Sequence, residues 1–153
     1  MPVHRETRQL PYTAEQMFAV VADIESYPQF VPGCAALRVL KRESEGDVRF
    51  ITAEVLIASH GLRQRYVSRV TLDARKGTVE ACHVEGPFDH LDTRWRFTPT
   101  PDGSEVDFFI DFAFRNRLLS AIAGLAFDTL ARGMAGAFVR RADALYGASQ
   151  QRM

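Results

Sequence analysis

The stretch Leu118–Tyr146 reads LLSAIAGLAFDTLARGMAGAFVRRADALY. It holds no proline, and its apolar residues recur at helical spacing. At about 100° per residue, Leu119, Ala123, Phe127, Leu130, Met134, Phe138 and Leu145 share one broad face. Asp128, Arg132, Arg140 and Asp143 gather on the other side. The spacing predicts one helix about 40 Å long, at about 1.5 Å per residue. A helix of that length in a small domain has to lie across the whole body of it. Arg141 falls on the apolar face near Met134 and Leu145, which calls for fraying or a snorkelling side chain.

Small residues are dense in this helix: Ala121, Ala123, Gly124, Ala126, Ala131, Gly133, Ala135, Gly136 and Ala137. Each interior glycine costs about 0.5–1 kcal/mol relative to alanine. On this stretch alone two explanations stay open. The small residues let the helix sit tight on a sheet, or they leave a gap that a ligand fills.

The helix belongs to a chain of 153 residues. That length predicts a single domain over 1–153, with its core at about 3–147, large enough to bury a real interior. Hydrophobic residues make up 46% and charged residues 25%, as in ordinary soluble globular proteins. Nineteen basic and nineteen acidic residues cancel, so no global field draws the chain to nucleic acid, and DNA is not an expected partner. Cys34 and Cys82 form neither a metal spacing nor a disulfide framework, so no metal site is expected and a reducing cytoplasm is the expected compartment. The start, MPVHRETRQL, lacks the apolar core of a signal peptide. The greasy run Leu118–Phe127 is broken by Ser120 and stopped by Asp128, too short to span a bilayer.

Ahead of the helix the chain reads as strands. Val3–Leu10 alternates weakly and predicts a first strand with one solvated face. Thr13 and Gln16 have the spacing of a capping box, and Tyr12 and Met17 that of a hydrophobic staple. A helix to about Asp23 follows, burying Met17, Phe18, Val20, Val21 and Ile24. In Ile24–Cys34, two prolines and a glycine forbid a long helix, so Tyr27, Phe30 and Val31 ride on a short turn, as a plug on the core or a lip over a pocket. Ala36–Lys41, Val48–Ala58, Leu62–Leu72 and Thr78–Glu85 then read as strands, with turns at His60-Gly61 and Lys76-Gly77. The parity of Thr78–Glu85 is ambiguous, because Cys82 and Val84 compete with Val79 and Ala81. Leu91, Thr93, Trp95 and Phe97 alternate with charged residues, and after Pro101-Asp102-Gly103 so do Val106, Phe108, Ile110, Phe112 and Phe114. Period-two alternation joined by short turns means an antiparallel meander with one buried face. The expected class is α+β: a curved antiparallel sheet of about seven strands wrapped around the long C-terminal helix, with two short helices after the first strand.

With that order of elements, the chain resembles the START-like, helix-grip superfamily, which includes the polyketide cyclase and dehydrase group. DIESYPQFVPGC (Asp23–Cys34), GPFDHLDTRWRF (Gly86–Phe97) and FAFRNRLLS (Phe112–Ser120) are similar to stretches of the coenzyme Q-binding proteins. That family also includes the bacterial ribosome-association toxin RatA. The resemblance runs from about Arg5 to Tyr146. It implies a hydrophobic tunnel between sheet and long helix, and a polyisoprenoid quinone such as ubiquinone, or a similar lipid, as ligand with no other cofactor. It implies a carrier in support of respiratory electron transport, in a bacterial cytoplasm and peripheral at the inner membrane, or else a ribosome-binding toxin. It also turns the small residues of the helix into a pocket wall.

The implied tunnel takes Phe30, Val31 and Pro32 as a gate beside Pro87 and Phe88. The tail lies along Leu119, Ile122, Leu130 and Met134, opposite Leu91, Trp95, Phe112 and Phe114. Tyr66 and Gln64, which share an inward face with Ser68, are the candidate donors to a quinone carbonyl. Tyr27 with Leu118, Leu119, Ile122 and Leu125 makes an apolar rim suited to transient membrane contact. Arg63, Arg65 and Arg69 form an outward stripe, read first as a solvated face paired with acids and second as a contact for phosphates. Enzyme signatures are missing: there is no GxSxG, HExxH, Walker A or dinucleotide fingerprint. His4, His60, His83 and His90 are scattered, and His90 forms only a local cluster with Asp89 and Asp92. No catalytic residue is expected, and a cofactor-free cyclase is the remaining enzymatic alternative.

Overall fold

The computed structural model describes residues 3–59 and 61–147. The side chains of Ser59, Leu62, Leu119 and residues 122–132 lie outside that description, as does His60. The elements run β1 (Val3–Leu10), α1 (Ala14–Ala22), a 3-10 turn (Ile24–Gln29) and β2 (Cys34–Glu45). Then come β3 (Val48–Ser59), β4 (Leu62–Asp73), β5 (Thr78–Glu85), β6 (Phe88–Thr100), β7 (Gly103–Phe114) and α2 (Arg117–Ala142). After Ala142 the helix widens into a π-turn, Asp143–Gly147. The sheet is seven-stranded and antiparallel, in the order β1-β7-β6-β5-β4-β3-β2. The expected α+β architecture is the observed one.

Local chemistry accounts for the elements. Thr13 caps α1: its hydroxyl accepts from the Gln16 amide at 3.1 Å, and its own amide donates to the Gln16 side chain at 2.9 Å. Tyr12 and Met17, flanking that cap, are both buried in the main core. Strand alternation holds along β3, where Ile51, Ala53 and Val55 are buried, and along β7, where Val106, Phe108, Ile110 and Phe114 are. β2 runs on to Glu45, past the expected Lys41, because backbone pairing with β3 continues where the side chains have turned polar.

The parity of β5 has a physical answer. Val67 pairs Glu85 while Ser68 pairs His83, so Val84 is the extra residue of a bulge. The bulge keeps Val79, Ala81 and His83 on the inner side, leaves Val84 exposed and turns Glu85 outward.

The core sits between the inner sheet face, α1 and the C-terminal part of α2. Trp95 stacks on Phe108 at 4.3 Å and meets Phe138 of α2 at 4.8 Å. Phe97 meets Phe18 of α1 edge-on at 6.1 Å. Ala135, Ala137 and Ala142 are buried here, so this part of the small-residue run provides close packing.

Two expectations near the helix end need correction. Leu145 is 51% exposed, because the widened last turn carries it off the apolar stripe. Arg141 neither frays nor snorkels: its guanidinium lies over the Phe30 ring, 5.3 Å from the centroid. Asp143 is exposed, as expected of the polar side, and accepts a hydrogen bond from the buried Tyr12 phenol. On the outer sheet face, His90 pairs not with Asp89 or Asp92 but with Asp111 of β7, at 2.9 Å. Among the described residues no helix is long and apolar enough to cross a membrane.

Candidate functional site

Antiparallel pairing brings one set of element ends together. The starts of β2, β4 and β6, the ends of β3, β5 and β7, and the start of α2 all meet at one end of the sheet. There the inner face carries a second apolar cluster, joined to the main core through Leu91 and Phe112. Phe88 and Phe114 are its buried members, and Ile57, Tyr66, Leu91 and Phe112 pack against them half-buried. Phe88 stacks on Phe114 at 4.6 Å and stands edge-on to Tyr66 at 5.1 Å and to Phe112 at 6.0 Å.

The Gly86-Pro87-Phe88 turn builds this cluster. Gly86 has φ +142, and a Cβ there would come within 2.7 Å of Tyr66 Cβ, so only glycine lets the turn lie directly on β4. A second irregularity, between Phe88 and His90, sets Phe88 opposite Phe114. The Pro87 carbonyl accepts from the Arg115 amide at 2.9 Å. Ser120 fastens the first turn of α2 to the end of β7, donating to the Phe114 carbonyl at 3.0 Å and accepting from its amide at 3.2 Å.

Polar groups are few on this inner face. Burial pushes the Tyr66 phenol well above its ordinary pKa, and the neighbouring Cys34 adds to the shift. Burial raises the Cys34 thiol to about 11. Tyr27 is raised in the same way, and its hydroxyl donates to the Val21 carbonyl. The Ser68 hydroxyl donates to the Cys82 carbonyl at 3.2 Å.

The sequence-predicted residues divide between two places. Tyr66, Phe88, Leu91, Phe112 and Phe114 come together in the end cluster, with Pro87 half-buried in the turn above it. Trp95 belongs to the packed core, and Met134 packs against that core from α2. The gate is not formed as expected. Phe30 and Val31 pack on the main core, Phe30 edge-on to Phe138 at 5.1 Å, whereas Phe88 is in the other cluster. Of the gate residues, Pro32 faces α2: its Cγ would lie 3.8 Å from a Cβ on Gly133. Tyr27 is no rim residue, since its ring packs on Phe138 at 5.3 Å, while Leu118 is 69% exposed. The side chains of Leu119, Ile122, Leu125 and Leu130 lie outside the described residues.

Sequence reasoning missed His83. It faces inward beside Ser68, 5.8 Å from the Phe88 ring, and its Nε2 is buried without a hydrogen-bond partner among the described residues. The bulge at Val84 hid it, because it breaks the period-two signal at that point.

The outer sheet face carries a half-open groove of about 500 Å³ lined by Ala36, Leu37, Arg38, Glu54, Leu56, Arg63 and Arg65. Glu54 pairs with Arg38 at 3.3 Å and with Arg65 at 3.9 Å, as a solvated stripe would. Arg69 lies over the Phe50 ring at 4.8 Å, and Arg63 has no ion pair among the described residues. No group of three or more metal-ligating side chains occurs among the described residues.

Known proteins share this arrangement. The sequence profile of the family described as "Polyketide cyclase / dehydrase and lipid transport" matches residues 10–139. The ribosome association toxin RatA of Escherichia coli K12 is 36% identical over 149 residues, covering 97% of this chain and 91% of its own. Coenzyme Q-binding protein COQ10 homolog B, mitochondrial, of Xenopus laevis is 33% identical over 148 residues, covering 94% of this chain and 59% of its own. The solution structure of the 18 kDa protein CC1736 from Caulobacter crescentus superposes with a TM-score of 0.79 at 35% identity, over 96% of this chain and 99% of that one. The grip of a curved antiparallel sheet on its terminal helix and the matched profile agree: this chain belongs to the polyketide cyclase / dehydrase and lipid transport family, with the START-like helix-grip fold.

Proposed function

We propose that the chain is a non-enzymatic binder of a long hydrophobic ligand, a polyisoprenoid quinone such as ubiquinone, which it carries or chaperones in support of respiratory electron transport. The reading rests on Tyr66. Its phenol is enclosed enough for burial to raise its pKa, yet its side chain keeps accessible surface. The head of the ligand would enter at the end of the sheet, where Tyr66, Leu91 and Phe112 are only partly buried against Phe88 and Phe114. The tail would run from there toward the first turns of α2, where the sequence sets Leu119, Ile122 and Leu130. Each 100 Å² of tail removed from water would contribute about 2.5 kcal/mol. The likeness to a coenzyme Q-binding protein supports the quinone. In this reading the bound quinone is the only small molecule required, and the protein works in the cytoplasm, touching the inner membrane while it loads.

Extraction of the purified chain with organic solvent, followed by mass spectrometry, tests this. A quinone in the extract is the expected result. An extract without isoprenoid lipid, from protein that also binds no added quinone, sinks it.

A second reading has its own support. The likeness to a ribosome association toxin covers nearly the whole chain, and the outer groove presents Arg38, Arg63 and Arg65 to solvent. In that reading the chain binds the large ribosomal subunit through phosphate contacts and blocks subunit joining. Cosedimentation with that subunit, falling steeply as salt rises, is its signature. A cyclase needs inward polar groups to steer its substrate. The inner face offers Gln64, Tyr66, His83 and Thr93, with Ser68 already bonded to the backbone and no carboxylate among them, so turnover of a polyketide is the weakest expectation.

A further inference from the structure

His83 is held inside the sheet with its hydrogen bonding incomplete. Its Nε2 is closed off from solvent and has no partner among the described residues. A buried nitrogen left so carries the full cost of its lost hydration. The immediate neighbours do not relieve it. The Ser68 hydroxyl, on the register partner of His83, is committed to the Cys82 carbonyl at 3.2 Å. The Phe88 ring, 5.8 Å from the imidazole and inclined at 69°, offers only its edges and π face. The bulge at Val84 sits immediately beside His83, and bulges of this kind are over-represented beside functional sites.

The same Phe88 ring has Tyr66 as a second polar neighbour, at 5.1 Å and 88°. One apolar ring therefore stands against a phenol and an imidazole, in the cluster where the tunnel should end. Neither polar group has a carboxylate or ammonium partner among the described residues.

We infer that His83 and Tyr66 together recognise the head group of the ligand, and that this head is an uncharged ring bearing at least two oxygen atoms. Phe88 covers the position in this structure and is the side chain the head displaces on entry. The inference rests on the proposed hydrophobic-ligand reading and adds what selects the head. A phenol can donate or accept, and a neutral imidazole does one or the other at Nε2 according to its tautomer. The pair thus suits a carbonyl and a hydroxyl equally, so both redox forms of a quinone fit. A carboxylate head would call for a lysine or arginine, and neither is among the side chains packed on Phe88.

The test uses the full chain and three probes with tails of matched length: a short-chain ubiquinone, an isoprenoid hydrocarbon without oxygen, and a fatty acid. Affinities come from calorimetry. His83→Leu is expected to weaken the quinone about tenfold and to leave the hydrocarbon within about twofold. His83→Gln, which keeps a polar atom at similar reach, is expected to retain most of the quinone affinity. The imidazole nitrogen resonance of His83 should move when quinone is added and stay in place with hydrocarbon. Quinone affinity unchanged in His83→Leu overturns the head-group assignment while leaving the tunnel standing. Loss of quinone and hydrocarbon alike in both variants assigns His83 a packing role and overturns it too, as does a fatty acid that binds more tightly than the quinone. If the unaltered protein binds none of the three, the tunnel reading falls as well.

Discussion

The phenol of Tyr12, just ahead of α1, donates to the carboxylate of Asp143 in the widened last turn of α2. The two residues lie 131 positions apart, and the bond ties the first helix to the end of the last. Hydrogen bonds to charged acceptors contribute about 1.5–3 kcal/mol. Tyr12→Phe is therefore expected to lower unfolding stability by about that amount. A double-mutant cycle with Asp143→Asn should show a coupling of similar size in urea melts. Additive single effects would remove the tie.

The same bond predicts a loss of stability in alkali. Acceptance by Asp143, together with burial, raises the Tyr12 phenol from 10.0 to about 12. The neutral phenol is thus favoured in the folded chain. Its contribution is complete below pH 10 and is lost as pH rises from about 10 to about 12. Tyr27 and Tyr66, both raised by burial, act in the same direction. Urea midpoints should hold steady from neutral pH to about 9 and fall above 10, less steeply in Tyr12→Phe.

Two glycines should respond oppositely to alanine. A Cβ on Gly133 would meet Pro32 Cγ at 3.8 Å, an ordinary contact, within a regular helix. Gly133→Ala is expected to stabilise by about 0.5–1 kcal/mol and to raise the melting temperature by about 1–4 °C. On Gly86 the same atom would sit 2.7 Å from Tyr66 Cβ at a positive φ. Gly86→Ala is expected to destabilise by about 1–3 kcal/mol and to disturb the packing of Phe88. Calorimetric scans of the two variants check both signs.

Elements governed by neighbours in sequence were legible. Thr13 and Gln16 declared the start of α1 through their spacing, and Phe108, Ile110 and Phe112 declared a strand through their parity. What the sequence hid depends on contacts between distant parts of the chain. His90 looked local beside Asp89 and Asp92, yet its partner Asp111 comes from the next strand. Arg141 looked misplaced until Phe30, more than a hundred residues earlier, was brought beneath it. The candidate site was half visible. Tyr66 and the Phe88 turn stood out by type and motif, but periodicity carries no sign of a bulge, so His83 stayed hidden behind Val84. Nor can parity tell which inward aromatics are fully enclosed and which stay partly exposed. Trp95 and Phe112 share one face but differ in what surrounds them.

The two thiols offer a probe of the candidate site that needs no ligand. Cys82 is exposed on the outer side of β5, whereas Cys34, at the start of β2, is half-buried close to Tyr27 and Tyr66. Burial raises the Cys34 thiol to about 11, and the thiolate is the reacting form. At pH 8 only about one Cys34 in a thousand would be ionised. A thiol reagent should thus modify Cys82 in a fast phase and Cys34 in a slow one. In Cys82→Ser only the slow phase should remain, and its rate should rise about tenfold per pH unit up to about 11. Bound quinone would cover Tyr66 and its neighbour together, so saturating ligand should slow Cys34 further and leave Cys82 unchanged. Equal rates for the two thiols would mean that the β2 start is open to solvent, and would move the enclosed space away from Tyr66.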